Sequence, residues 1–203
     1  MEMDFMEMDF IIVHGSPGNG KSTLSRMLNE HLKSPYFEFG WIPEFRSLTP
    51  SLDISQAAEE QLSFENLILV AKNYNCHGFK NIILTDLNDI RMLDIHQIFK
   101  GYRYIILTLY SDNDDIIKQR VLTRDNGNEY KDWETSVAMN ALIKSREKLP
   151  NEYRIENSGQ HPETALQLML ELMAAHEPAD ADDINVIEQR EYYYSYIDHT
   201  QGD

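Results

Sequence analysis

Short unbroken apolar runs alternate along the chain with longer stretches in which apolar residues return every three or four positions. Phe10–His14 (FIIVH) is a run of the first kind. It is closed by glycine and reads as a buried parallel strand. Leu24, Met27, Leu28 and Leu32 then recur at helical spacing, and Ser34–Pro35 ends that helix. Tyr36–Phe39 reads as a second strand, and Gly40–Pro50, with two prolines and a tryptophan, as a loop. Gln56–Tyr74 predicts a helix with Leu62, Leu67, Val70 and Ala71 on its apolar face.

Asn81–Asp86 (NIILTD) repeats the buried-strand pattern, and Ile90–Lys100 reads as helical. Tyr102–Tyr110 is rich in β-formers. A helix is expected over Asp112–Arg124, with Asp112, Asp114 and Asp115 near its start, where the dipole favours anions. Asn126–Gly127–Asn128 breaks it. A helix over Trp133–Lys148, a short strand over Tyr153–Glu156 and a helix over Pro162–Ala175 with proline in its first turn complete the order. Strands alternating with helices imply an α/β fold: a mostly parallel five-stranded sheet covered by helices. Ligands of such sheets bind at the carboxyl ends of the strands.

The ends read differently from the middle. Met1–Phe5 (MEMDF) recurs as Met6–Phe10, so residues 1–9 are expected to form a mobile leader to a domain spanning 10–176. Residues 177–203 carry eight Asp or Glu against Arg190 alone. They read as an acidic tail. Tyr192, Tyr193, Tyr194 and Tyr196, on a helical pattern over Ile184–Tyr196, offer a surface for a protein partner.

The 203 residues carry a formal charge of −16. Repulsion from a polyanion argues against nucleic acid and against anionic membrane surfaces. The apolar runs fall far short of a bilayer span, and Glu2, Asp4, Glu7 and Asp9 stand where an export signal would carry Lys or Arg. The expected location is therefore the cytoplasm. The single cysteine, Cys76, cannot form an internal disulfide and reads as a small packing residue. The histidines lack metal-ligand spacing, and His14 reads as a satisfied histidine at the end of its strand.

One motif carries specific chemistry. Gly15-Ser16-Pro17-Gly18-Asn19-Gly20-Lys21-Ser22 fits G-x-x-x-x-G-K-[ST], with a strand before it and an amphipathic helix after it. Glycines let successive N–H groups turn inward around phosphate oxygens, and the helix that follows aims its positive end at the same anion. Lys21 would neutralise the β and γ phosphates, and the Ser22 hydroxyl would reach Mg²⁺. The guanine-reading N-K-x-D and the L-S-G-G-Q signature of transporter ATPases are absent from the sequence.

On Gly15–Thr23 (GSPGNGKST) the chain resembles the small-molecule kinases among the P-loop NTPases: the shikimate kinase-like, adenylate kinase-like, chloramphenicol phosphotransferase-like and zeta toxin-like groups. Weaker likenesses extend over Phe10–Ala175. The resemblance implies the three-layer P-loop fold with a small helical lid, ATP and Mg²⁺ as cofactors, and a small-molecule phosphoryl acceptor. Asn81–Asp89 resembles the group's third-strand segment, which implies Asp86 beside the metal with Ser22. Arg120-x-x-x-Arg124 resembles the lid motif; on a helix the two would share a face and clamp phosphates. Ile155–Gly159 (IENSG) resembles the loop against adenine, which implies Asn157 in nucleotide binding. Glu38 is the nearest match to the group's acid after the second strand and is the candidate base; Glu44 and Arg46 follow it, Arg46 as a possible contact to an anionic acceptor. The catalytic set is thus Lys21, Glu38, Arg120 and Arg124. Two other readings stay open: a toxin-like or polynucleotide kinase, and a non-catalytic ATP-binding switch acting through the tail.

Overall fold

Every residue of Phe10–Gly15 is buried, as an apolar run between two layers requires. In the computed structural model, which describes residues 7–124 and 130–179, this run is the central strand β1. It is followed by helix α1 (Lys21–Leu32), strand β2 (Tyr36–Glu38), helix α2 (Gln56–Cys76) and strand β3 (Ile82–Thr85). Two single-turn helices, α3 (Asp89–Met92) and α4 (Ile95–Ile98), lead to β4 (Tyr104–Tyr110). Then come α5 (Asp114–Thr123), α6 (Trp133–Ser145), β5 (Glu152–Glu156) and α7 (Pro162–Ala174).

The five strands pair in the order β2-β3-β1-β4-β5, all parallel. Phe10 stands beside Ile82 on one side and Tyr104 on the other. Alternation along β1 divides the core into two clusters. Phe10 and Ile12 pack with Phe64, Leu67 and Ala71 of α2 and with Phe99, whose ring stacks on Phe10 at 4.2 Å. Ile11 and Val13 pack on the opposite face with Leu24 and Leu28 of α1 and Met169 and Met173 of α7. Helices on both faces of a parallel sheet make the three layers expected of the P-loop fold. No helix among the described residues is long and apolar enough to cross a membrane.

Several local expectations are corrected. Ile90–Lys100 is not one helix: the chain folds as two separate turns joined at Leu93 and Asp94, and Met92, Leu93, Ile95 and Phe99 are all buried in one core. Leu62 lies on the exposed side of α2, whose buried stripe is Glu59, Ser63, Phe64, Leu67, Ile68 and Ala71. The sixth helix stops at Ser145 because Arg146 turns extended and drives its guanidinium into the interior. Met8 and Asp9, placed in the leader by the sequence, pack with the domain. Met8 is fully buried, and the Asp9 carboxylate accepts hydrogen bonds from Lys80 Nζ, Asn75 Nδ2 and the Arg103 amide. The first MEMDF copy, the Asn126–Gly127–Asn128 break and the tyrosines of the acidic tail lie outside the described residues.

Candidate functional site

The turn after β1 carries the backbone that its glycines predict. Gly15 has φ 142° and Gly20 has φ 86°. A Cβ on Gly15 would sit 2.4 Å from the Leu109 carbonyl oxygen, and one on Gly20 2.8 Å from Asn157 Nδ2. Both positions thus favour glycine for conformation, and Gly15, against backbone, for space as well. The Leu24 amide donates to the Gly20 carbonyl at 3.0 Å, so α1 begins at the loop and its free N–H groups face it.

Inside the turn, Ser16 and Asn19 are fully buried. Asn19 Nδ2 donates to Ser16 Oγ at 2.9 Å and to Asn140 Oδ1, on α6, at 3.0 Å. The same Asn140 amide pairs with both the N–H and the C=O of Ser111, after β4, at 2.9 and 2.8 Å. Asn157 Nδ2 donates to the Asn19 carbonyl at 2.8 Å. The loop is therefore fixed from behind by three amide side chains. Asn140 was not legible as a site residue; its only signal is a polar side chain on the inner face of an amphipathic helix.

One cavity of 610 Å³ opens over this loop. Pro17, Gly18, Gly20, Lys21, Ser22 and Thr23 form its floor; Glu38, Asp86, Arg120, Arg124 and Asn157 form its walls. Of the sequence-predicted set, Gly15, Ser16 and Asn19 shape the loop from behind and do not line the cavity. Thr123, Tyr130, Gln160 and Pro162 line it as well and were not anticipated.

Lys21 Nζ lies 3.6 Å from Asp86 Oδ1. Burial pushes the Lys21 ammonium below its ordinary value and the Arg124 charge adds to this, while the carboxylates of Asp86 and Glu38 oppose it. A cation held in this way has most to gain from an arriving anion. Asp86 follows β3 directly in a left-handed conformation, φ 67°, with its carboxylate more than half exposed. Glu38 ends β2 and is mostly buried. Its Oε1 accepts from the Tyr36 hydroxyl and lies 3.7 Å from Arg26 Nη2. Burial and the Glu38 charge together raise the Tyr36 phenol well above its usual range, so it remains a donor that orients the carboxylate.

The two lid arginines do not share a helix face. α5 ends at Thr123, and Arg124 is its extended C-cap, with ψ 137°. Lys131 Nζ reaches the carbonyls of Leu122 and Arg124 and takes the place of a further helical turn. Arg124 donates to the Tyr130 carbonyl at 3.1 Å and lies 5.0 Å from the centre of the Tyr130 ring. Arg120 donates to the carbonyls of Gly18, Asn157 and Ser158 at 3.4, 2.8 and 3.4 Å, bridging the phosphate-type loop and the loop after β5. Arg46 is elsewhere: its Nε is 3.7 Å from Glu59 Oε2, and it lines a separate 180 Å³ cavity beside α2.

Beneath the site lies a buried ionic network. His14 Nε2 is 2.8 Å from Asp89 Oδ1, and Arg146 Nε is 3.3 Å from the same oxygen. Arg146 also grips Glu152 with two bonds of 2.8 Å. Thr108 Oγ1 and the Leu149 amide donate to the same carboxylate at 2.6 and 2.8 Å. His14 is therefore paired on one side only: Nε2 meets Asp89, while the buried Nδ1 has no hydrogen-bond partner, so the expectation of a fully satisfied histidine does not hold. The exposed Cys76 bonds locally to the Asn73 carbonyl.

The donor chemistry suits a nucleotide with a hard cation. The Ser22 hydroxyl and the Asp86 carboxylate line the same cavity as Lys21 and could offer oxygens to a cation. Mg²⁺ uses few protein oxygens and completes its shell with phosphates and water. The described residues hold no cluster of three or more His, Cys, Asp or Glu suited to a metal.

No protein-family model and no curated protein matches the chain. Solved structures do. A sugar kinase from Janibacter sp. HTCC2649 superposes with TM-score 0.58 at 15% identity, covering 81% of this chain and 93% of its own. The thymidylate kinase of Candida albicans gives 0.56 at 14%, covering 86% and 96%. The Mycobacterium tuberculosis APS kinase, solved with AMPPNP and APS, gives 0.52 at 16%, covering 82% and 98%. At these identities the likeness is one of fold, and the fold is that of the P-loop small-molecule kinases.

Proposed function

We propose that the protein is an ATP- and Mg²⁺-dependent phosphotransferase that moves the γ-phosphate to a hydroxyl of a small molecule. The observation that carries this reading is a single cavity lined by Lys21, Ser22, Glu38, Asp86, Arg120, Arg124 and Asn157, residues drawn from five separate segments of the chain. The kinase neighbours, one solved with an ATP analogue, support it.

In this reading the loop amides and Lys21 hold the β and γ phosphates, and Arg120 and Asn157 hold the base side. Mg²⁺, bound through Ser22 and Asp86, would neutralise phosphate charge. Arg124 neutralises charge that builds on the transferring group. Glu38 takes the proton of the acceptor hydroxyl as its oxygen bonds to the γ phosphorus and the bridging P–O bond breaks. Tyr36, donating to Glu38, fixes the carboxylate for this role.

The test is Glu38→Gln. Mg²⁺–ATP should still raise the thermal midpoint, because ligand bound to the native state alone must do so. Transfer should fall by roughly 10²–10⁴-fold. An unchanged transfer rate would remove Glu38 as the base. Absence of any midpoint shift with Mg²⁺–ATP in the unaltered protein would remove the kinase reading itself.

A further inference from the structure

Gln160 lines the cavity two residues before α7, and its side chain has no part in the phosphate chemistry described so far. The strand order β2-β3-β1-β4-β5 fixes which end of the cavity it occupies. All five strands are parallel: Glu38 ends β2, Asp86 follows β3, the phosphate-type loop follows β1, and Gln160 follows β5 on the far side. Lys21 Nζ leans to the β3 side, 3.6 Å from Asp86 Oδ1. In the phosphotransferase reading, on which this inference rests, the terminal phosphate and its cation belong there. The nucleoside then extends the other way, toward β4 and β5, and its base meets the wall made by Arg120, Asn157 and Gln160.

That wall is fixed by its own bonds. The Ser158 amide donates to Glu156 Oε1 at 2.8 Å, and Ser158 Oγ pairs with Ser111 Oγ and accepts the Asp112 amide at 2.8 and 2.9 Å. Arg120 donates to the carbonyls of Asn157 and Ser158. Gln160 Nε2 donates to the Glu156 carbonyl. A carbonyl oxygen only accepts, so this bond settles which end of the Gln160 amide is nitrogen. A free glutamine can turn its amide over and serve adenine and guanine alike. Gln160 cannot do so without giving up Glu156.

The remaining edge of the amide holds an acceptor, Oε1, beside the second N–H of Nε2. Adenine offers the complement, the N–H of its 6-amino group beside a ring nitrogen. Guanine places O6, an acceptor, where adenine has the amino group. Against Oε1 that sets lone pairs against lone pairs. We propose that Gln160 is a specificity-determining residue: its tethered amide reads the 6-position of the purine and selects a 6-amino base over a 6-oxo base.

The experiment is calorimetric titration of the full chain with the Mg²⁺ complexes of ATP, ITP and GTP, and with Mg²⁺–tripolyphosphate as a ligand without a base. ITP carries the 6-oxo group of guanine without its 2-amino group, so it isolates the 6-position. ATP should bind roughly tenfold tighter than ITP and GTP, the weight of one two-bond base contact. Gln160→Met, of similar length but without the amide, should bring ATP to the level of ITP and leave tripolyphosphate unchanged. Gln160→Arg, which only donates, should move the order toward ITP and GTP. Equal binding of ATP and ITP by the unaltered protein overturns the proposal, and so does an ATP preference that survives in either variant. Equal weakening of every ligand, tripolyphosphate included, overturns it too, because a merely structural side chain would act in that way. Transfer of labelled phosphate is scored separately. An ATP preference that Gln160→Met abolishes, with no transfer to any acceptor, would sink the kinase reading alone. Transfer supported equally by GTP and ATP would sink the base selectivity alone.

Discussion

Replacing Arg146 by Met tests the network beneath the phosphate-type loop. The guanidinium is nearly buried, and so are its partners: the Glu152 side chain has no exposure and that of Asp89 only 1%. Methionine fills much of the space without the charge. Removing one partner of a buried pair typically costs about 3–5 kcal/mol, because the remaining charge is left uncompensated. Here Asp89 keeps His14 at 2.8 Å, and Glu152 keeps Thr108, the Leu149 amide and Arg154 Nη2 at 3.9 Å. The expected loss is therefore near the lower limit, about 3 kcal/mol, or a fall of about 6–12 °C in midpoint for a chain of this size. The pH dependence gives the signature. Burial opposes ionisation of both carboxyls, yet His14 and Arg146 hold Asp89 below its ordinary range, and Arg146, Thr108 and Leu149 do the same for Glu152. Groups depressed in the folded state stabilise it fully above their unfolded values of about 4, and that contribution is lost as pH falls through the lower folded values. Without Arg146 the depression lessens, so the deficit should hold steady from pH 7 to about pH 4 and shrink as pH falls below that. Differential scanning calorimetry from pH 2 to 7 measures this. A loss under 1 °C at pH 7, or a deficit that does not shrink below pH 4, would refute the network's role.

Lys21→Ala should abolish the midpoint rise with Mg²⁺–ATP while leaving the unliganded midpoint within a few degrees; an undiminished rise would defeat the loop assignment. Arg124→Ala should lower kcat while leaving the KM for ATP nearly unchanged, the pattern of a contact made in the transition state. Steady-state kinetics decides it, and a rise in KM alone would make Arg124 a ground-state contact. Asn140→Leu strips partners from Asn19 and from the Ser111 amide, so urea unfolding should show a loss of about 1–3 kcal/mol. Titration calorimetry should show weaker ATP binding in the same variant, because Asn19 belongs to the loop.

Much of the fold was legible because burial on both faces leaves a plain mark. β1, β3 and β4 are apolar runs flanked by breakers, and the structure has strands in all three places. The phosphate-type loop was legible for a different reason: its glycines answer a local steric demand that sequence spacing records directly. What could not be read is what depends on distant partners. Arg146 looks from its neighbours like the last turn of a helix; only Asp89 and Glu152, 57 and 6 residues away, pull it out of helical geometry. Ile90–Lys100 failed similarly, since its apolar residues serve one core through two turns. Spacing placed Arg120 and Arg124 on one helical face, yet the structure brings them to one cavity by ending the helix between them.

That last difference bears on chemistry as well as on geometry. An arginine within a helix is positioned by the helix. Arg124, at an extended C-cap, is positioned by Tyr130 and by the Lys131 bonds that close the helix end. Arg120 is fixed instead by three carbonyls, two of them in the loop after β5 and one in the phosphate-type loop. The pair is thus held in two ways: Arg120 ties the loop after β5 to the phosphate-type loop, and Arg124 is held from outside both. In the phosphotransferase proposed above, Arg124 would gain from such an attachment if its contact strengthens as charge develops. The Asn19–Asn140–Ser111 network anchors the phosphate-type loop from behind, through partners other than those that hold Arg124. In the phosphotransferase proposed above, a loop fixed by its own amides and a cation hung separately are what charge neutralisation by positioning demands.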